Sequence, residues 1–232
     1  MAQIQSTLGN IRGKIGHVVI YQNKEGKNLM RSSGCNYKIK SEARKQSTTT
    51  FCTVAHCKQW MQEVIRIGFP GNNRLPQGNA GFMHANATAA IVVRNESNRK
   101  YKGYVEPAKL LVAAGILEKP DVTLDINTTE RTLTFRNHGS SYDKIDCFTT
   151  DRIYATVLSF STYSCQIIGL GTRGTDNEIT VTLKPHIPTD DISVYIFATR
   201  TDGRSASDSV CLYTSHTDRE KQNGKIITEK FQ

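Results

Sequence analysis

Between residues 120 and 214 the chain breaks into seven short runs in which apolar residues alternate with polar ones, each closed by turn-forming residues. Few architectures accept that pattern. The runs are 122–126, 133–135, 152–159, 163–170, 179–183, 192–199 and 207–213. A period of two sends one set of side chains to a buried face and the other to solvent. Seven such strands within about 95 residues is the spacing of an antiparallel β-sandwich of the immunoglobulin or fibronectin type. The Asp202-Gly203 pair between the last two runs is hairpin-turn chemistry.

The N-terminal half reads differently. Residues 14–21 are rich in β-branched side chains and predict a strand; Asn23-Lys24-Glu25-Gly26 supplies a turn, and 27–31 returns as the partner of a β-hairpin. Gly9, Gly13 and Gly16 mark bends on the approach. Ser41 is placed to cap a helix, with Glu42 in its first turn. Phe51, Val54, Ala55, Lys58, Met61, Val64 and Ile65 then recur at helical spacing, which predicts one helix ending near Gly68, before Pro70. Trp60 and Met61 read as packing residues on or beside that stripe. A loop over 71–81 leads to a second, shorter helix over 80–93, a basic linker over 95–102, and extended segments over 104–117 interrupted by Pro107 and Gly115. The expected class is therefore α+β: a basic N-terminal β-hairpin plus helices, followed by an antiparallel immunoglobulin/fibronectin-III-like β-sandwich.

Charge follows the same division. The net charge of +9 conceals a balance of +12 over residues 1–119, from 18 Lys and Arg against 6 acids, and of −3 over residues 120–232, from 12 against 15. The step predicts a basic N-terminal region over 1–119, the sandwich over 120–214 and a polar tail over 215–232, in which 225–228 could add a strand. A basic half of this size concentrates anionic partners, whether nucleic acid, an acidic protein surface or the acidic half of another copy. The first residues lack a basic segment followed by an apolar stretch, and no apolar run approaches the ~20 residues of a membrane span. A cytoplasmic or virion location, with no membrane partner, is the expectation. On that reading the sequons at Asn86, Asn95 and Asn127 carry little weight.

The chain offers little that names a reaction. Its six cysteines, Cys35, Cys52, Cys57, Cys147, Cys165 and Cys211, include no C-x-x-C pair, so reduced, mostly buried thiols are expected rather than a metal site. Cys57 and His56 are neighbours on the predicted helix and point in different directions, which argues against a dyad. Residues 169–174 match G-x-G-x-x-G, but Thr175-Asp176-Asn177-Glu178 and a strand follow where a dinucleotide site needs a helix. That stretch reads as a glycine-rich hairpin loop. No catalytic, cofactor-binding or metal-binding residues are assigned, and no enzyme activity is expected. The functional signal above background is basic: Arg12, Lys14, Lys24, Lys27, Arg31, Lys38, Lys40, Arg44 and Lys45, interleaved with Tyr21 and Tyr37. Such a set suits contact with a polyanion or with a neighbouring subunit.

The segment Gly9-Asn10-Ile11-Arg12-Gly13-Lys14-Ile15-Gly16-His17-Val18-Val19, the pair Arg31-Ser32, and Gln46 and Phe51 on the next helix together resemble the N-terminal signature of an uncharacterised family of Bacteroidota and their mobile elements. Ile65-Arg66-Ile67-Gly68-Phe69 and the closing hairpin around Asp202-Gly203 and Ser209-Val210-Cys211-Leu212-Tyr213 are similar as well. The resemblance spans roughly residues 4–213, most of the chain. Lys40-Ser41-Glu42-Ala43 stands where that family carries an Asn-Pro-Arg-Thr type of helix entry. The resemblance implies a mixed N-terminal region plus an immunoglobulin-like module, a bacterial or phage setting, and no established catalytic residues. Together these features lead to an expectation of a non-enzymatic structural or assembly protein, such as a phage or prophage particle component, working by self-association or contact with other structural proteins. The alternative is an intracellular nucleic-acid-binding protein that uses the basic region.

Overall fold

Ala2–Ile4 (β1), Gly13–Ile15 (β2), Val18–Gln22 (β3) and Asn28–Ser32 (β4) form one antiparallel sheet in the order β1-β4-β3-β2. They belong to a small compact unit, Met1–Ser41, distinct from a larger one, Glu42–Gln232. The computed structural model describes residues 2–4, 12–34, 41–72, 75–95, 100–140 and 142–215; the polar tail beyond Ser215, including 225–228, lies outside them. The stretch 14–21, expected as one strand, is two. Gly16 takes a φ of +56°, which a residue without Cβ adopts at low cost, and the chain reverses there between β2 and β3. The turn from β3 to β4 is held by Asn23, whose Oδ1 accepts hydrogen bonds from the backbone N–H of Glu25 (3.1 Å) and of Lys27 (2.8 Å).

In the larger unit the apolar stripe of the long helix breaks once. Glu42–Trp60 (α1) and Gln62–Gly68 (α2) are separated at fully buried Met61, whereas one continuous helix was expected. The stripe residues Val54, Cys57, Met61, Val64 and Ile65 are buried, but Phe51 is 61% exposed. Gly68 closes α2 because its backbone lies against the 112–113 segment: a Cβ there would stand 2.8 Å from Ala113 Cβ. The second helix is shorter than expected, Asn79–Ala85 (α3). Buried Asn86 stops it, donating to Phe82 O and Leu111 O and accepting from Leu111 N. Residues 90–93 are strand rather than helix: Ala90–Asn95 (β5) pairs with Lys100–Val105 (β6), where a basic linker had been expected. Ile91, Val92 and Val93 are β-branched, and their preference for a pleated surface overrides the helical spacing.

All seven alternating runs after Pro120 coincide with strands: Val122–Asn127 (β7), Thr132–Asn137 (β8), Arg152–Ser159 (β9), Ser164–Thr172 (β10), Asn177–Thr182 (β11), Ser193–Thr199 (β12) and Val210–Thr214 (β13). They form a three-stranded sheet, β11-β8-β7, and a four-stranded sheet, β10-β9-β12-β13, all pairings antiparallel. Val122, Leu133 and Phe135 from the first share a core with Ile153, Ala155, Val157, Val194 and Ile196 from the second. The opposite face of the four-stranded sheet is buried too: Leu158, Tyr195 and Phe197 join Val54, Val64 and Phe82 from the helices, and Met61 and Phe69 at their ends, in a second core. The larger unit is thus layered as helices, four-stranded sheet and three-stranded sheet. Every residue of β12 is buried as a result, and Tyr195 Oη donates to Pro107 O across 2.7 Å to tie the helical layer down. The charge step near Pro120 falls inside this unit.

The 169–174 glycine stretch is not a hairpin loop. It is the bulged end of β10, where Gly171 has a φ of +91°, and the chain then crosses to the other sheet as β11. A strand follows it, as the phosphate-site argument required.

Candidate functional site

The basic residues singled out in the sequence separate into two groups. Arg12, Lys14, Lys24, Lys27 and Arg31 lie in the small N-terminal unit, while Arg44 and Lys45 lie on α1 of the larger one. Lys38 and Lys40 lie outside the described residues. Within the small sheet the registers sort the side chains by face. Lys14, Val19 and Arg31 form one cross-strand row, with Tyr21 and Leu29 in a neighbouring row on the same face. Arg31 stacks its guanidinium 5.5 Å from the Tyr21 ring. The other face carries Ile15, Val18, Ile20 and Met30. Arg12 donates to Gln22 Oε1 at 3.2 Å, and Lys24 is in the β3–β4 turn. Lys27 is paired with Glu25 (3.0 Å) and Lys45 with Glu42 (3.1 Å). Among described residues 12–34 none is buried. One face of this sheet is mainly apolar, the other basic and aromatic, and the described side chains on both are half-buried or exposed.

In the larger unit, a cavity of about 580 Å³ opens between α1 and β6, lined among others by Cys52, His56, Tyr104 and Phe160. Tyr163 closes one side, held at a φ of +52° in the β9–β10 turn, with its ring edge-on to His56 at 4.9 Å. Gly103 sets the wall, because a Cβ there would collide with Thr53 Oγ1. The hydroxyls of Thr49 and Thr53 are committed to helix carbonyls. Burial pushes the Cys57 thiol up to about 11, so it is a packing group rather than a nucleophile at neutral pH. Cys52 and His56 stand four residues apart and both reach this cavity. Their spacing was visible in the sequence, although the adjacent pair Cys57 and His56 drew the attention there. Among the described residues no three His, Cys, Asp or Glu side chains come together to hold a metal ion. The five described cysteines are free thiols.

A third surface had no signal in the sequence. Ile145 is 89% exposed, with Tyr142 and Ile116, 61% and 55% exposed, in the same region, around a hollow of about 570 Å³ lined by Ile116, Leu117, Glu118, Lys144, Ile145 and Asp146. The backbone under it is tightly held. Lys144 and Cys147 exchange backbone hydrogen bonds, Glu118 N donates to Asp146 O (2.8 Å), and Thr149 N donates to Asp143 Oδ1 (2.6 Å). Beneath lies Arg173, 6% exposed, which donates to Glu118 O (2.6 Å) and Lys119 O (3.3 Å) and stands 3.7 Å from fully buried Asp151. Lys144 bridges to Glu118 at 3.4 Å, and that carboxylate holds its ammonium above the usual lysine value.

A scan against protein-family models finds no match for this chain, and no curated protein matches it in sequence. No helix among the described residues is long and apolar enough to cross a membrane.

Proposed function

We propose that this chain is a non-enzymatic structural protein that assembles through protein–protein contacts made by its N-terminal sheet. One observation carries the reading: no residue within 12–34 is buried, although Ile15, Val18, Ile20 and Met30 share a face. Ile15 on that face is exposed and Val18, Ile20 and Met30 are only half-buried, so the small sheet has little burial to offset its own ordering, which a partner surface would add. The larger unit, with two cores, is the scaffold that presents the sheet. Its strand order supports a fibronectin-type relationship. The first, second and fifth strands of the sandwich make one sheet, while the fourth pairs with the third in the other rather than returning to the fifth. A phage or prophage particle is the setting we favour, by analogy with other sandwich proteins. Presence of the chain in purified particles would be its test. The general reading is tested by sedimentation of the full chain at low salt: masses above the 25.9 kDa protomer that grow with concentration are expected, and a strict monomer would refute it.

A second reading has its own support, the row of Lys14, Val19 and Arg31 beside Tyr21. Basic groups flanking an aromatic ring can meet a nucleic-acid backbone and its bases. It predicts DNA or RNA binding whose log–log salt slope is steep and which charge reversal at Lys14 and Arg31 abolishes. Binding that survives both reversals counts against it.

A further inference from the structure

We infer that the ridge formed by Ile116, Tyr142 and Ile145 receives the N-terminal sheet of a second copy of this chain, so that copies associate head to tail. This rests on the assembly reading above and adds the surface on which the sheet docks. Exposed apolar side chains on a loose loop would carry no such weight. These sit on backbone pinned by the Lys144–Cys147 bridge, by Asp143 and Asp146, and by buried Arg173 from below. Holding large apolar groups rigidly in water gives up hydrophobic stabilisation that docking recovers, with little further ordering to offset.

Charge selects the occupant. Around the ridge stand three acids, Glu118, Asp143 and Asp146, and two lysines, Lys144 and Lys119; Lys144 is already engaged with Glu118, and Asp143 accepts from Thr149 N. The segment 1–41 carries seven Lys and Arg against the single acid Glu25, a balance of +6. Ile15, 70% exposed, and Lys14 are neighbours on the edge strand β2 and point to opposite faces of the sheet. A ridge meeting another ridge would set acids against acids, and a sheet meeting another sheet would set seven basic groups against seven. Both self-complementary contacts are disfavoured by like charge, whereas the free edge of β2 set against the ridge brings Ile15 to the apolar groups and Lys14 to the acids. Such a heterologous contact generates rings or open chains.

The test uses the full chain and two variants, Ile145→Asp on the ridge and Lys14→Glu/Ile15→Asp on the sheet. All three sites are exposed, so folding is not at stake. Sedimentation velocity should find the parent self-associating in a salt-sensitive way, with each variant weakened about tenfold or more in Kd. An equimolar mixture of the two variants should form one-to-one pairs and stop there, because the mixture retains one intact sheet and one intact ridge. If Ile145→Asp associates as the parent does, the ridge is overturned while the assembly reading stands. If both variants weaken but the mixture fails to pair, the sheet is not the ridge's occupant. A parent that is monomeric throughout overturns both readings.

Discussion

Replacing Arg173 by Met should destabilise the Glu42–Gln232 unit more than any other single polar-to-apolar change beneath the ridge. Arg173 and Asp151 side chains are 6% and 0% exposed and stand 3.7 Å apart as an ion pair; without the guanidinium, Asp151 keeps the Phe148 N–H (2.9 Å) but loses its counter-charge. Breaking a buried pair by removing one partner costs about 3–5 kcal/mol, because the remaining charge is uncompensated. The carbonyls of Glu118 and Lys119 lose their donors as well, but both residues are exposed and water can replace part of that. We therefore expect about 4 kcal/mol in urea unfolding at pH 7, and a fall in Tm of about 8–16 °C for a unit of this size. Asp151→Asn should cost less, about 2 kcal/mol, since it can still accept from Phe148 and Arg173 retains both carbonyls. The double variant Arg173→Met/Asp151→Asn should fall well short of the sum of the two, giving a coupling energy of about 2 kcal/mol. The losses should not change with added salt, since a pair this deep is little screened. A loss under about 1 kcal/mol for Arg173→Met, or strict additivity in the cycle, would refute the reasoning.

Two further outcomes follow from buried groups elsewhere. Tyr195→Phe removes the 2.7 Å bond to the buried Pro107 carbonyl, which keeps the Leu110 N–H (3.2 Å), and should cost about 0.5–1.5 kcal/mol by denaturant unfolding; a change within error would mean that the hydroxyl does not tie the 107–110 segment to β12. Alkaline stability is set in part by two thiols, since burial pushes Cys57 up to about 11 and Cys165 to about 12 from an ordinary 9.0. The unfolded chain releases these protons first as pH rises, so unfolding releases protons and stability declines from about pH 9 toward 12, by up to ~1.4 kcal/mol per pH unit per thiol; Cys57→Ala should flatten its share of that slope, and an unchanged slope would count against the assignment.

The sandwich was legible because its evidence is local. Val122, Leu124 and Ile126, or Ile179, Val181 and Leu183, alternate on strands that have one face in a core and the other toward solvent. The helical region was harder because the decisive terms are non-local. The 80–93 stretch has helical spacing, but buried Asn86 spends its amide on Leu111, 25 residues away, and the β-branched residues beyond it pair with β6. Gly16 read as a bend, but Lys14, Ile15, Val18 and Val19 gave no sign that it would be a full reversal between two strands. The basic residues were visible from composition, but not that Lys14 and Arg31 would share a row while Lys27 would be paired with Glu25. The ridge was the least legible feature: Ile116 and Ile145 are 29 residues apart, and nothing in either neighbourhood marks an isoleucine that the fold leaves in water.

The three-layer body gives that exposure a physical meaning. A sheet covered on both faces, as β9 and β12 are, needs no further apolar partner, and the body's two cores enclose Tyr195, Phe69, Phe82, Phe135 and Phe197. Ile116, Tyr142 and Ile145 are outside both cores. Their segment is instead fastened by polar groups, with a buried Arg173 spent on two backbone carbonyls and facing Asp151, where an apolar pair replacing both residues could pack at equal or better stability. Polar fastening fixes geometry more sharply than apolar packing does, because its partners and directions are specified. If the ridge is an interface, Arg173→Met should weaken self-association beyond its effect on the folded fraction, measured under conditions where the variant is still fully folded. Equal association by parent and folded variant would mean that the clamp serves stability alone.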